Sequence, residues 1–263
     1  MTMLPPLRLD GRVVLVTGGT SGIGEGCALA AAEAGAAAVC ITGRDATRGD
    51  AVVERLRALG ARAQFIAADL ADAEAAAAIV PRAEAALGVV DGLVNAAGIT
   101  DRGTIFDTTA ALWDRMFAVN ARAPFLLTQA MARRLRELGR RGAVVNIITM
   151  SSHGGQPFLM AYAASKGALA TLTKNTAFGL RPWRIRVNGI NMGWADTPGE
   201  HAIQARDGRP PDWLAKAEAA QPFGRLLRPR DVAGLAIYLL SDASEMMTGA
   251  LIDFDQNVMG AYT

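Results

Sequence analysis

Two side chains with acid–base chemistry lie four residues apart in the segment Tyr162-Ala-Ala-Ser-Lys166. If residues 160–180 form a helix, this spacing places the Tyr162 phenol and the Lys166 ammonium one turn apart on the same face. A nearby ammonium stabilises the phenolate, so it lowers the phenol pKa from its reference value near ~10. The pair therefore predicts a tyrosine that acts as a general acid or base.

A glycine-rich turn, Thr17-Gly-Gly-Thr-Ser-Gly-Ile-Gly24, lies near the N-terminus. It follows a short apolar run and precedes an alanine-rich stretch, which is the strand–turn–helix context of a phosphate-binding motif. Glycines let the backbone approach a pyrophosphate closely, and the start of a helix offers free N–H groups to an anion. Taken alone, the turn predicts either a phosphate site or a tight connection.

The elements that must position these residues alternate along the chain. Apolar runs without strict alternation predict parallel strands covered on both faces; they lie at residues 13–16, 38–41, 64–67, 92–95, 143–148, 184–188 and 251–254. Helical stretches are expected at residues 23–34, 47–59, 72–87 and 110–138, with Pro81 kinking or interrupting the third. This alternation predicts an α/β fold with a doubly wound sheet.

Composition narrows the function classes. The chain has 263 residues, 51% of them hydrophobic and 20% charged, with a formal net charge of +2. No charge excess points to nucleic acid or to an anionic membrane, so neither is expected as a partner. Two cysteines and two histidines provide no disulfide framework and no metal cluster, so we expect no metal and a reducing, cytoplasmic location. No apolar run approaches the ~20 residues that span a bilayer.

Together with Asn95-Ala-Ala-Gly98 and Asn120, the turn and the Tyr162/Lys166 pair resemble the short-chain dehydrogenase/reductase family. The resemblance covers essentially the whole chain. It implies a single Rossmann domain over residues 1–263 with a seven-stranded parallel sheet and helices on both faces. It also implies reversible hydride transfer between a nicotinamide cofactor and a carbonyl/alcohol pair, as in a short-chain alcohol dehydrogenase or carbonyl reductase.

The resemblance also assigns residues to the cofactor. Those expected to bind it are Gly18, Thr20, Ser21, Ile23, Gly24, Asp69, Leu70, Asn95, Ala97, Gly98, Tyr162, Lys166, Gly193 and Thr197. Asp69 would meet the adenine amino group, although an acidic residue after a strand can also be a turn or helix-capping residue.

Cofactor choice depends on the end of the second strand, Ile41-Thr-Gly-Arg44. Gly43 occupies the place where NAD-dependent relatives put Asp, and a guanidinium such as that of Arg44 suits a ribose 2′-phosphate. We therefore predict NADP(H) in preference to NAD(H). Ser21 argues in the other direction, because many NADP-using relatives have a basic residue there.

The family places a serine thirteen residues before its tyrosine, and that position is Thr149 here. Thr149 retains a hydroxyl that can hold the substrate oxygen, and Ser151 and Ser152 are nearby alternatives. By resemblance, Tyr162 transfers the proton, Lys166 lowers the pKa of Tyr162, and Asn120 kinks a helix and holds a water that links Lys166 to solvent.

Residues 194–222 form a candidate lid, although a surface loop without function is the alternative. The candidate substrate residues Ser151, His153, Gln156 and Trp194 combine hydrogen-bonding groups with aromatic surface, which favours a polyol, a sugar or another hydroxylated carbonyl compound. Met192 replaces the usual proline after the sixth strand. By resemblance the chain is a homotetramer, with residues 257–263 near an interface.

Two other functions remain open at this level. The chain can be a nucleotide-binding regulatory or scaffold protein with weakened catalysis, for which the departures Thr149 and Met192 are the only support. It can also be an epimerase or dehydratase on the same fold. The sequence does not identify the substrate, the stereochemistry or the physiological direction.

Overall fold

A seven-stranded parallel sheet forms the centre of the computed structural model, which describes residues 7–259. The strand order is β3-β2-β1-β4-β5-β6-β7. The strands are β1 (Val13–Thr17), β2 (Ala38–Gly43), β3 (Arg62–Ala67), β4 (Gly92–Asn95), β5 (Gly142–Ile147), β6 (Ile185–Met192) and β7 (Leu251–Phe254). The order reverses between β1 and β4, which is where a doubly wound sheet opens a crevice for a ligand. The predicted fold class is confirmed.

Helices cover both faces of the sheet. They are α1 (Gly22–Glu33), α2 (Ala46–Ala58), α3 (Ala73–Leu87), α4 (Ala110–Phe117), α5 (Ala123–Glu137), α6 (Met160–Leu180), α7 (Pro198–Arg206), α8 (Trp213–Ala219) and α9 (Pro229–Leu240). One buried cluster joins α1, α2 and α9 to the sheet, and a second joins α3, α5 and α6 to the opposite face. Because both faces are covered, the central strands are apolar without alternation.

The third helix differs from the sequence expectation. It runs from Ala73 to Leu87 without a break at Pro81. Pro81 cannot donate a hydrogen bond to the carbonyl of Ala77, but both residues are exposed, so water can satisfy that carbonyl. The predicted interruption is therefore wrong.

The predicted helix over residues 110–138 is divided into two. A π-helical turn, Ala118–Arg122, separates α4 from α5, and the N–H of Ala123 bonds to the carbonyl of Ala118. Such turns insert one residue into a helix and are frequent at functional sites. Asn120 lies within this turn.

Several absences in the described residues bear on function. Between residues 7 and 259 no helix has the length and apolar character that a bilayer crossing requires. Within the same range, no group of three or more His, Cys, Asp or Glu side chains is arranged to hold a metal ion. Cys27 and Cys40 are free and buried, and burial raises the pKa of each thiol to about 12. Tyr262 and the end of the predicted interface tail lie outside the described residues.

Candidate active site

A cavity of about 1220 Å³ opens at the carboxyl ends of the strands. The glycine-rich turn between β1 and α1 forms one wall, and the backbone of Gly18 has a φ of +65°. A Cβ on Gly18 would lie 2.8 Å from Cα of Ala97, and a Cβ on Gly24 would lie 2.2 Å from the carbonyl oxygen of Gly18. The turn therefore closes only with glycine at these positions.

The start of α1 faces this cavity. Ser21 is the N-cap residue, and its side chain makes no capping hydrogen bond. The first N–H groups of a helix have no partner within the helix, so they can bind an anion such as a pyrophosphate. The five turn residues assigned to the cofactor all line the cavity: Gly18, Thr20, Ser21, Ile23 and Gly24.

The end of β2 forms the next part of the wall. Arg44 is exposed and has no carboxylate within 4.0 Å among residues 7–259, whereas Arg48 pairs with Asp45 at 2.8 Å. A Cβ on Gly43 would lie 2.6 Å from Cγ2 of Thr20. Thr20 therefore occupies the space that an acidic side chain at position 43 would need.

The ends of β3 and β4 continue the cavity. Asp69, Leu70, Ala97 and Gly98 line it, whereas Asn95 does not. Asn95 is buried, and its Nδ2 donates to Oδ1 of Asn146 at 2.8 Å, which links β4 to β5. The structure therefore gives Asn95 a role within the sheet.

Thr149, Tyr162 and Lys166 all line this cavity. Thr149 follows β5 and is buried, and Tyr162 and Lys166 lie one turn apart on α6. The Thr149 hydroxyl donates to Oγ of Ser151 at 3.3 Å. Burial raises the pKa of Tyr162 to about 12, and the nearby Thr149 hydroxyl offsets only a small part of this shift. The negative charge of Glu200 acts in the same direction as burial.

Lys166 does not act on Tyr162 as the spacing predicted. Its Nζ donates to the carbonyl of Ile147 at 2.7 Å, and burial lowers the pKa of this amine to about 8. Burial therefore shifts the pKa of Tyr162 in the direction opposite to the one expected from the ammonium. The phenol is protonated at neutral pH.

Asn120 connects the π-helical turn to this centre. Its side chain accepts from the N–H of Ile99 and donates to the carbonyl of Ile99, both at 3.0 Å, and it also donates to Oγ of Ser165. A Cβ on Gly98 would lie 3.4 Å from Oδ1 of Asn120 and 3.5 Å from Nζ of Lys166. Gly98 thus brings the loop after β4 close to both side chains.

The remaining predicted residues separate into two groups. Ser151, Gln156, Trp194, Gly193 and Thr197 line the cavity. His153 does not; it is exposed, and its imidazole lies 3.0 Å from a carboxylate oxygen of Asp253. Asn191 also donates to this carboxylate oxygen, at 2.8 Å.

Glu200 lines the cavity and was not singled out from the sequence. The pattern Thr197-Pro-Gly-Glu200 is typical of a helix capping box, and Thr197 does accept from the N–H of Glu200. The Glu200 carboxylate instead accepts from the indole of Trp194 at 2.9 Å and from Gln204 at 2.6 Å. The sequence pattern at Thr197 to Glu200 predicts a helix cap, so it gives no indication that Glu200 lines the cavity.

Asp255 is a second residue that the sequence did not bring forward, and it also lines the cavity. A Cβ on Gly193 would lie 2.1 Å from a carboxylate oxygen of Asp255. Only glycine at 193 leaves room for this side chain. Relatives in the resembled family commonly have Asp-Gly-Gly at this place, whereas this chain has Asp253-Phe-Asp255. This difference was the only sequence feature that could have drawn attention to Asp255.

The chain is similar to proteins of known type over almost its whole length. A family model described as enoyl-(acyl carrier protein) reductase matches residues 18–256. Cis-4-hydroxycyclohexanecarboxylate dehydrogenase of Sinomonas cyclohexanicum is 36% identical, with 96% of each chain covered. A solved short-chain type dehydrogenase/reductase from Mycobacterium marinum is 31% identical with a TM-score of 0.88, covering 97% of this chain and 98% of that one. A 3-oxoacyl (acyl-carrier-protein) reductase from Agrobacterium tumefaciens, solved with NADP bound, is 30% identical with a TM-score of 0.86 and 98% coverage of both chains.

Proposed function

The chain belongs to the short-chain dehydrogenase/reductase family, and on that premise we propose that it interconverts a secondary alcohol and a carbonyl, with Tyr162 as the proton donor or acceptor. The observation that carries this proposal is a shared cavity. Tyr162, Thr149 and Lys166 line the same cavity as the glycine-rich turn. A proton-transfer group and a phosphate site within one cleft suit an oxidoreductase that uses a nucleotide.

Each side chain of the centre has a distinct task in this proposal. During reduction, Tyr162 donates its proton to the carbonyl oxygen, and the Thr149 hydroxyl donates a hydrogen bond to the same oxygen. Such a donor stabilises negative charge as it develops, and its removal costs on the order of 10²-fold in rate. Because the pKa of Tyr162 is raised, the phenol is ready to donate at neutral pH. Alcohol oxidation needs the phenolate and therefore gains rate as the pH rises.

The cofactor proposed is NADP(H) in preference to NAD(H). The backbone of the glycine-rich turn and the start of α1 would hold its pyrophosphate, and Arg44 would bind its 2′-phosphate. Thr20 supports this choice, because it fills the space at Gly43 where an acidic residue would bind a free 2′-hydroxyl. When bound, the nicotinamide would supply or accept the hydride.

The proposed substrate is a polyol, a sugar or a similar hydroxylated compound. Ser151, Gln156 and Glu200 offer hydrogen-bonding groups to hydroxyls on the Tyr162 side of the cavity. Trp194 and Trp213 stack with ring centroids 5.9 Å apart and add apolar surface. Both tryptophans lie in residues 194–222, which contain α7 and α8, and we propose that this segment covers the substrate.

The test is turnover with a panel of polyols, sugars and small ketones, followed at 340 nm with each cofactor. Wild type should turn over at least one compound, and Tyr162→Phe should reduce the rate by about 10²-fold or more while NADPH binding is retained. Tyr238→Phe, on α9 outside the cavity lining, is the matched control. Equal turnover by Tyr162→Phe would exclude the proposed mechanism. NADPH binding without turnover would favour a regulatory protein.

We also propose that the protein works in the cytoplasm as a homotetramer. The two free, buried cysteines support a reducing compartment, because nothing in the described chain uses a disulfide for stability.

A further inference from the structure

Cations around the outer part of the cavity are mostly neutralised by carboxylates. Arg102 pairs with Asp207 at 2.6 Å, and Arg206 pairs with Asp101 at 2.8 Å. In the same segment Lys216 pairs with Asp212 at 2.8 Å. These pairs leave little net charge on this wall.

Arg209 is the exception in residues 194–222. This residue lines the cavity and is exposed, and no carboxylate of residues 7–259 lies within 4.0 Å of its guanidinium. Three other cavity cations also lack such a partner, namely Arg44, Arg115 and Lys166, but they lie just after β2, on α4 and on α6. Arg209 is therefore an uncompensated charge on the proposed cover.

Its neighbours place Arg209 on the Tyr162 side of the cavity. Asp207, two residues earlier, holds Arg102, whose guanidinium lies 5.3 Å from the ring centroid of Phe158. Phe158 precedes Tyr162 by four residues, and its carbonyl accepts from the N–H of Gly103 at 3.0 Å. Arg44 lies at the other end, where the adenosine half of a dinucleotide would bind.

The backbone around Arg209 is constrained. Gly208 has a φ of +69° and ends α7, and the N–H of Arg209 bonds to the carbonyl of Gln204 at 2.9 Å. Pro210 and Pro211 follow, and each proline fixes its own φ. A side chain on such a segment loses less backbone freedom when it binds a ligand.

We propose that Arg209 binds a carboxylate carried by the substrate, so that the enzyme acts on hydroxy acids and their keto-acid partners. This proposal rests on the proposed function. A guanidinium binds a carboxylate through two parallel hydrogen bonds. A single charge matches one carboxylate, whereas a phosphate dianion would leave charge uncompensated beside Glu200 and Asp255, which line the same cavity.

The experiment compares matched substrates that differ in the carboxylate, such as gluconate against sorbitol and 5-hydroxyhexanoate against its amide. Arg209→Gln should lower kcat/KM for the acids by about tenfold to a hundredfold and leave kcat/KM for the neutral compounds unchanged. Arg209→Lys should recover part of the lost kcat/KM for the acids, because lysine keeps the positive charge but cannot form the two parallel hydrogen bonds of a guanidinium. Lys216→Gln removes another cavity cation, one already paired with Asp212, and should leave the preference for acids unchanged.

Measurement of acid binding distinguishes a failure of the carboxylate site from a failure of the proposed function. Titration of the NADP⁺-loaded protein with each acid, followed by the intrinsic tryptophan fluorescence to which Trp194 and Trp213 of the cavity contribute, reports binding whether or not turnover occurs. Weaker acid binding in Arg209→Gln supports the carboxylate site even if no compound is turned over, a result that would count against the proposed reaction. Equal acid binding and equal kcat/KM in wild type and Arg209→Gln would overturn the carboxylate site alone. An equal loss for acids and neutral compounds would also overturn it.

Discussion

Lys166 carries an ammonium in a nearly closed site, where its side chain is 4% exposed and donates to the carbonyl of Ile147. Burial lowers the pKa of Lys166 from 10.5 to about 8. Tyr162 shifts in the opposite direction for the same reason, since burial disfavours the charged form of each group. Both groups are therefore held closer to neutrality than they would be in water.

This shift predicts a pH-dependent stability. Between pH 8 and 10.5 the unfolded chain binds more protons at Lys166 than the folded chain does, so wild-type stability rises with pH in this window. The contribution is fully present above 10.5 and is lost as the pH falls through about 8. Relative to Lys166→Met, the wild-type free energy of unfolding should rise by ~3 kcal/mol across the window.

Urea unfolding at several pH values measures this difference. Lys174→Met, an exposed lysine on the same helix, serves as the control and should show no such trend. A difference between wild type and Lys166→Met that is independent of pH would contradict the prediction.

Arg44 makes a prediction about cofactor choice. Arg44→Ala should lower kcat/KM with NADPH by about tenfold to a hundredfold and change kcat/KM with NADH little, because NADH lacks the 2′-phosphate. Steady-state kinetics with both cofactors measure this. Arg48→Ala, at a neighbouring cavity cation that is paired with Asp45, should have a smaller effect. An equal loss of kcat/KM with both cofactors would show that Arg44 does not bind the 2′-phosphate.

At the scale of elements, Asn120 in the π-helical turn holds the loop after β4. Asn120 satisfies both backbone groups of Ile99, a residue of the cavity wall. Asn120→Ala should therefore lower the free energy of unfolding by about 2 to 4 kcal/mol and lower kcat as the loop after β4 loses its anchor. Urea unfolding and turnover test this, with the exposed Asn175→Ala as the control. Unchanged stability would mean that this amide does not anchor the loop after β4.

The strands, the glycine-rich turn and α6 could be predicted because local patterns determine them: continuous apolar runs, glycines before a helix, and a spacing of four. The division of the helix at Asn120 was expected only through the family resemblance, which implies a kink there, and not from the periodicity of residues 110–138. The hydrogen bonds of Asn120 to Ile99 could not be predicted from a local pattern, since Ile99 lies 21 residues away in the chain. The direction of the Tyr162 pKa depends on burial, which appears only once the surrounding elements have packed. The position of Glu200 in the cavity could not be predicted, because the sequence pattern around Glu200 is also that of a helix cap.

At the scale of the whole molecule, aromatic side chains remain exposed on α5, on α6 and just after α6. Phe125 is 43% exposed and Trp183 is 39% exposed, and both border a small cavity of about 170 Å³. Phe178, on α6, is 68% exposed but does not border this cavity. Exposed apolar patches often mark contacts between chains. This face is our candidate for the self-association that the family resemblance implies.

Phe125→Glu/Trp183→Glu should therefore reduce the proposed tetramer to smaller species, because a buried carboxylate in an apolar contact is unfavourable. Light scattering after size exclusion measures the mass. Phe106→Glu, which changes a 95% exposed ring in the loop after β4, is the control and should leave the mass unchanged. A monomeric wild type, or a tetrameric double variant, would contradict this assignment.

The contact between Thr20 and Gly43 has an evolutionary consequence. A Cβ at position 43 would lie 2.6 Å from Cγ2 and 2.9 Å from Oγ1 of Thr20. The Cβ of a lone Gly43→Asp substitution would therefore clash with these two atoms. The same substitution after Thr20→Ala meets neither atom. The two positions are therefore epistatic, and a lineage that changes its cofactor passes more readily through position 20 first.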